Sequence, residues 1–138
     1  MVRALEIWGV GLLLLPIAGC GPPPEPPAFH PSTPAEAAAM HQFQAEVKPI
    51  FQGNCYRCHF GMNHKGKFNL DTRALLLKGG DRGVAVVPGH PDQSLLLRLV
   101  RHQGPADHPM PMPPKDKLSD GEIEAISRWI ADGAIMDR

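Results

Sequence analysis

The sequence predicts an all-α fold, a small domain of about four helices. Two capping boxes mark helix starts, because a Ser or Thr is followed three residues later by Glu at Thr33–Glu36 and at Ser119–Glu122. Apolar residues recur at helical intervals after each box. The segments between them are rich in Gly and Pro and show no alternating pattern typical of a β-hairpin.

The first and last helices carry the clearest apolar faces. After the Thr33 box, with Pro34 at the first helical position, one face is formed by Phe43, Val47, Ile50 and Phe51. Pro49 should kink or restart this helix, because proline lacks a backbone N–H. After the Ser119 box, the buried stripe consists of Ile123, Ile126 and Ile130, with Trp129 beside it. Gly133 should end that helix.

Two shorter helices are expected between them. Asp71 is the predicted N-cap of the first, 74–77 its body and Gly79 its terminator. Pro91 is predicted to open the second, which continues through Ser94 to position 101.

The sequence divides into a signal peptide (1–19), a lipidated cysteine with a tether (20–34) and a folded domain (35–138). Arg3 precedes a twelve-residue apolar stretch, 7–18, which is too short to span a bilayer and fits a secretory signal. The stretch ends in Ile-Ala-Gly-Cys, which resembles a lipobox and implies lipidation of Cys20. The alternative is an ordinary signal peptide that leaves Cys20 a plain thiol.

Both interpretations predict export, and the first predicts anchoring at the periplasmic face of a bacterial membrane. Seven of the thirteen residues from Pro22 to Pro34 are proline, so this segment should be an extended spacer. The 14 basic and 14 acidic residues balance, so no net charge favours nucleic acid, and no nucleic-acid-binding motif is present.

The most informative motif is C-x-x-C-H, formed by Cys55-Tyr56-Arg57-Cys58-His59. Two thiols at this spacing can form thioether bonds to a haem, and the adjacent imidazole can ligate its iron. The alternatives are half of a zinc site, which would need a second ligand pair, and a thiol-redox motif, which would need a βαβ setting. The cofactor predicted is one covalently attached haem c.

The sixth iron position has several candidate ligands. Met112 is the first choice and Met110 the second, because both lie in a Pro-rich loop that would restrict a thioether ligand. His102 and His108 are the bis-histidine alternatives.

Together these segments resemble the Planctomycete-type cytochrome c domain. The resemblance covers about residues 40 to 135 and is carried by Val47–Phe51, the C-x-x-C-H motif, Phe68–Arg73, Leu77–Gly80, Val87–Pro91, Ser94–Leu96, Met112–Pro114, Leu118–Ser119 and Trp129–Ala134. It implies a class I cytochrome c-like helical fold, thioether bonds at Cys55 and Cys58, and His59 with Met112 as axial ligands.

The resemblance also implies that the first and last helices cross, so that Phe43 and Val47 face Trp129 and Ile130. One departure is His90, where the family usually has an acidic residue. The expected function is electron transfer to a partner protein rather than catalysis, with a role as a redox-enzyme subunit still open. The rivals are a haem enzyme or gas-binding haem with an open or His-occupied distal site, and a zinc-binding module.

Overall fold

The computed structural model describes residues 30–104, 110 and 116–137, and within these ranges the regular secondary structure is helical apart from an isolated bridge between Gly80 and Gly83. The α-helices are α1 (Pro34–Gln42), α2 (Lys48–Asn54), α3 (Tyr56–His59), α4 (Arg73–Lys78), α5 (Leu95–Val100) and α6 (Asp120–Ala131). A π-helical turn, Phe43–Val47, joins α1 to α2, and 3₁₀ turns occupy Lys65–Lys67 and Pro91–Gln93. No strand occurs within these ranges, which agrees with the all-α prediction.

Several predictions concern residues outside the described ranges. They include the signal peptide, Cys20, most of the tether, Met112 and His108. Within the described ranges, no helix is long and apolar enough to cross a membrane.

Both predicted capping boxes are confirmed. The Thr33 hydroxyl accepts a hydrogen bond from the Glu36 N–H, and the Glu36 carboxylate accepts one from the Thr33 N–H, each at 3.1 Å. Ser119 and Glu122 repeat the arrangement at the start of α6. Because both contacts are local, the helix starts follow directly from the sequence.

Pro49 restarts the first helix, as predicted. Lacking an N–H, it cannot continue the α-helical hydrogen bonding. The chain widens into the π turn, where the Lys48 N–H donates to the Phe43 carbonyl, and α2 then begins with proline in its first turn. The six α-helical segments exceed the four predicted, because the π turn divides the first predicted helix into α1 and α2 and the C-x-x-C-H motif forms the separate α3.

An aromatic cluster packs the first helical region against α6. The ring of Trp129 lies 5.8 Å from that of Phe43 and 5.5 Å from that of Phe51 (centroid to centroid), and all three side chains are fully buried. Val47 and Ile130 are completely buried in the same core. The predicted packing of the first helical region against the last is therefore present.

Asp71 is not the N-cap of α4, contrary to the prediction. The cap is Thr72, whose hydroxyl accepts the Leu75 N–H at 3.2 Å. The Asp71 carboxylate instead accepts the Gly61 N–H at 2.7 Å. Asp71 and Thr72 are both residue types that can cap a helix. Thr72 is the cap because the Asp71 carboxylate is bound to Gly61 in the preceding loop.

Ser94 divides the helix that was predicted to run from Pro91. Its hydroxyl accepts the Val87 N–H and donates to the His90 carbonyl, both at 3.0 Å. The residue is fully buried and has extended backbone angles. Pro91 consequently starts only a 3₁₀ turn, and α5 begins at Leu95.

Gly79 ends α4 as predicted, and its position explains why only glycine fits. Its φ is +75°, and a Cβ there would lie 2.1 Å from the Gly83 carbonyl oxygen. Gly83 is a matched control, because its φ is +91° but a Cβ would meet no atom within 4 Å.

We expect Gly79→Ala to lower the free energy of unfolding by about 3 kcal/mol or more, since backbone strain is added to a steric clash. Gly83→Ala should cost only the strain, about 1–2 kcal/mol. Urea unfolding of the two variants checks this difference. Equal losses of stability would show that the clash relaxes without cost.

Candidate haem-binding site

The C-x-x-C-H motif forms a single helical turn after the end of α2. The Cys55 N–H donates to the Phe51 carbonyl at 2.8 Å, and the Cys55 carbonyl accepts the N–H groups of Cys58 and His59, both at 3.0 Å. Because the two cysteines are three residues apart, they lie at the two ends of one helical turn. Both are half-buried thiols rather than a disulfide pair.

A stacked aromatic pair braces the same turn. The rings of Tyr56 and Phe60 lie 4.3 Å apart (centroid to centroid) and are inclined by only 17°. Because Tyr56 begins α3 and Phe60 follows its last residue, this contact spans the turn that carries the thiols. Arg57, between the cysteines, is exposed.

His59 is oriented by the loop that follows the motif. Its Nδ1 lies 3.3 Å from the Phe68 carbonyl oxygen. A carbonyl can only accept, so Nδ1 carries the proton and Nε2 carries the lone pair. The edge of the Phe68 ring also contacts the imidazole, with centroids 5.3 Å apart.

Burial lowers the pKa of the His59 imidazole below its ordinary value. The carbonyl oxygens of Phe68 and Lys65 oppose this shift by favouring the protonated ring, and the positive charge of Lys65 adds to it. Burial is the largest influence, so the surroundings favour the neutral ring.

The backbone ties His59 to the same loop from a second direction. The Leu70 N–H donates to the His59 carbonyl at 2.7 Å. Phe68 and Leu70 therefore hold the side chain and the main chain of His59 respectively. Sequence inspection missed both, because they act through backbone groups that every residue type possesses.

The donor set fits a covalently bound haem. Two accessible thiols lie on one turn, and the adjacent imidazole has its Nε2 lone pair fixed by the hydrogen bond on its other nitrogen. Metal-ligating histidines typically donate their other ring N–H to a backbone carbonyl or a carboxylate, which fixes the tautomer. Within the ranges that the structure describes, no cluster of three His, Cys, Asp or Glu side chains is arranged to hold a lone metal ion.

The structure describes only part of the predicted distal region. Met110 is half-buried against the core, and its N–H donates to the Leu99 carbonyl at 3.4 Å. His102 is exposed after α5, with a φ of +57°. Met112 and His108 lie outside the described residues. His90, the residue that departs from the family pattern, is exposed before the Pro91 turn.

Comparison with known proteins identifies one family. Residues 55–116 match the family model for Planctomycete cytochrome C, so the match begins at the first cysteine of the motif and includes the loop that orients His59. Searches of curated proteins and of solved structures gave no match. Cytochrome c domains bind haem iron and generally act as electron carriers rather than enzymes. Residues 55–116 of this chain are therefore similar to the Planctomycete cytochrome C family, and this similarity implies a covalently bound haem c.

Proposed function

We propose that this protein is a monohaem c-type cytochrome that carries single electrons between partner proteins. Cys55 and Cys58 would form the two thioether bonds, and His59 and Met112 would be the axial ligands of the iron. The bound haem supplies a metal centre that alternates between the ferric and ferrous states. Lipidation of Cys20 would anchor the protein to a bacterial membrane at its periplasmic face.

The orientation of His59 is the observation that carries this proposal. A histidine that merely filled space would not need a fixed tautomer, whereas a ligand needs an unprotonated Nε2 whose lone pair can bind iron. The Phe68 carbonyl provides this by accepting from Nδ1. The two thiols lie on the turn that ends at this histidine, so the three groups serve one cofactor.

The surrounding residues would limit rearrangement during electron transfer. Leu70 holds the His59 backbone, and the Phe68 ring contacts its imidazole at the edge. The motif turn also follows directly from α2, whose Phe51 packs against Trp129 in the core. A site held from several directions changes little when its charge changes, which suits rapid electron exchange.

Met112 remains our choice for the distal ligand, and Met110 is the alternative. Met110 already packs against the core, and its backbone is held by Leu99. This gives Met110 a role in the fold without any iron bond, which supports assigning the ligand to Met112.

The tether and anchor suggest how partners are reached. A Pro-rich spacer behind a lipidated cysteine keeps a domain near the membrane while allowing it to move. Brief encounters with redox partners need only small interfaces. We propose that the haem domain exchanges electrons with a partner protein near that membrane, either as a separate carrier or as part of a larger redox complex.

Cysteine variants test this function when produced in a host that carries haem-attachment machinery. Wild type should retain haem after denaturation and give a pyridine haemochrome spectrum typical of two thioether bonds. Cys55→Ala and Cys58→Ala should each shift that spectrum, and the double variant should lose covalent haem. Cys20→Ser is the matched control, which should keep both thioether bonds but leave the membrane fraction. A colourless wild-type protein that binds zinc would overturn the proposal.

A further inference from the structure

Next to His59, a buried asparagine joins a second histidine to the loop that orients the proposed ligand. Asn69 is only 7% exposed. Its Nδ2 lies 2.7 Å from Nε2 of His64, and its Oδ1 accepts the Asp71 N–H at 2.6 Å. Because the amide oxygen is occupied by a backbone donor, the nitrogen is the atom facing His64.

This hydrogen bond selects one tautomer of the neutral His64 ring. The Nδ2 group can only donate, so Nε2 of His64 must accept, which requires a neutral ring with its proton on Nδ1. A second Nδ2 hydrogen faces the Asp71 carboxylate at 3.5 Å. The network is therefore complete only while His64 is uncharged.

Protonation of His64 would place two donors opposite each other. The added proton comes from solvent and binds Nε2, and no bond between heavy atoms is broken or formed. The ring then has a better partner in the Asp71 carboxylate, whose oxygen lies 4.0 Å from Nε2. Asn69 would lose an acceptor, and a buried polar group without its partner favours rearrangement.

Asn69 lies between the two residues that hold His59. Phe68 supplies the carbonyl that accepts from Nδ1 of His59, and Leu70 supplies the N–H that donates to its carbonyl. A shift of Asn69 therefore moves groups on both sides of it. We propose that Asn69 is a positioning residue for His59, and that it couples the protonation of His64 to the reduction potential of the site.

Among the described residues, most of the other charged side chains near this loop are exposed. Lys65 and Lys67 flank it, and Lys67 forms an ion pair with Asp81 at 2.9 Å. Arg57 contributes its carbonyl, which accepts from Asn63 at 3.2 Å, while its side chain is exposed. Asp71 is half-buried and the closest of these to His64, so it is the expected partner of the charged ring.

The direction of the effect follows from charge. A positive charge on His64 stabilises the more negative, reduced state of a nearby redox centre. The reduction potential should therefore be higher when His64 is protonated and should fall as the pH rises between 5 and 8, where histidine side chains usually change charge. By reciprocity, the reduced protein should bind the proton more tightly than the oxidised protein.

His64→Gln is the matched test, because the glutamine carbonyl can accept from Asn69 but does not titrate. This inference rests on the proposed function, so potentials are measured on protein whose haem attachment has been verified. The ratio of reduced to oxidised protein is measured at a fixed ambient potential from pH 5 to pH 8. The change in this ratio should be about fivefold larger in wild type than in His64→Gln. The exposed His41 is the control site, and His41→Gln should behave as wild type.

NMR of the reduced wild-type protein supplies a readout that does not depend on a variant folding. The ¹⁵N shifts of neutral His64 should show an unprotonated Nε2. The pH midpoint of the His64 titration should be lower in the oxidised protein than in the reduced protein. A neutral ring protonated at Nε2, or identical pH dependence in wild type and His64→Gln, would overturn the inference. Failure of haem attachment would instead contradict the proposed function.

Discussion

Replacement of His59 by glycine is expected to lower the yield of correctly ligated haem protein by at least about 100-fold. Loss of a group that hydrogen-bonds a metal ligand already lowers metal affinity or activity by about 10–100-fold, and His59 would be a direct ligand. Its ring is held by the Phe68 carbonyl and contacted by the Phe68 ring, and glycine removes the nitrogen proposed to ligate the iron. The measurement is haem content per protein, combined with the absorption spectrum.

Two controls separate ligation from folding in this experiment. His90→Gly removes an exposed histidine and should leave haem content and spectrum unchanged. Added imidazole should enter the space left in His59→Gly and restore a low-spin spectrum, because it supplies the missing nitrogen. A His59→Gly protein with the wild-type spectrum and no need of imidazole would show that another residue ligates the iron.

Replacement of Met112 by alanine is expected to open the sixth iron position. The thioether-to-iron charge-transfer band should disappear, external ligands such as cyanide should bind faster, and the reduction potential should fall, because thioether sulfur favours ferrous iron. Absorption spectroscopy and a potentiometric titration measure these changes.

Met110→Ala is the matched control for that variant. Met110 is half-buried against the core, so its truncation should cost about 1–2 kcal/mol of stability while leaving the charge-transfer band intact. The opposite result, with the band lost only in Met110→Ala, would move the distal ligand to Met110. A band absent from wild type, together with loss of low-spin iron in His102→Ala or His108→Ala, would indicate a histidine ligand.

Features determined by local contacts were predictable from the sequence. The capping boxes at Thr33 and Ser119 involve residues three apart, and the restart at Pro49 follows from a missing N–H. The burial of Phe43 and Trp129 follows from the helical spacing of apolar residues. The C-x-x-C-H motif also lies within five consecutive residues, so its chemistry could be inferred before its geometry was known.

The errors arose where contacts between distant segments decide between similar local options. Thr72 rather than Asp71 caps α4, because the Asp71 carboxylate accepts from Gly61, ten residues earlier. Ser94 interrupts a good helical pattern because its hydroxyl satisfies the backbone at Val87 and His90. Neither contact is encoded by propensity or periodicity.

The surroundings of His59 were also missed. His64 lies in a loop rich in Lys and Gly, a composition typical of exposed surface, although Asn69 directly contacts it. One signal was available, because Asn two residues before Asp is a pattern in which the Asn side chain often accepts the second residue's N–H. That pattern predicts the Asn69–Asp71 contact but not its link to His64.

The central claim is that Cys55 and Cys58 bind one haem covalently, with His59 beside them as a ligand. Tandem mass spectrometry of proteolytic fragments tests it most directly, using protein made with haem-attachment machinery. We expect the fragment containing residues 55–59 to carry the mass of one haem and neither cysteine to react with a thiol reagent. An unmodified fragment with two alkylatable cysteines, from cells that attach haem to a control cytochrome, would contradict it.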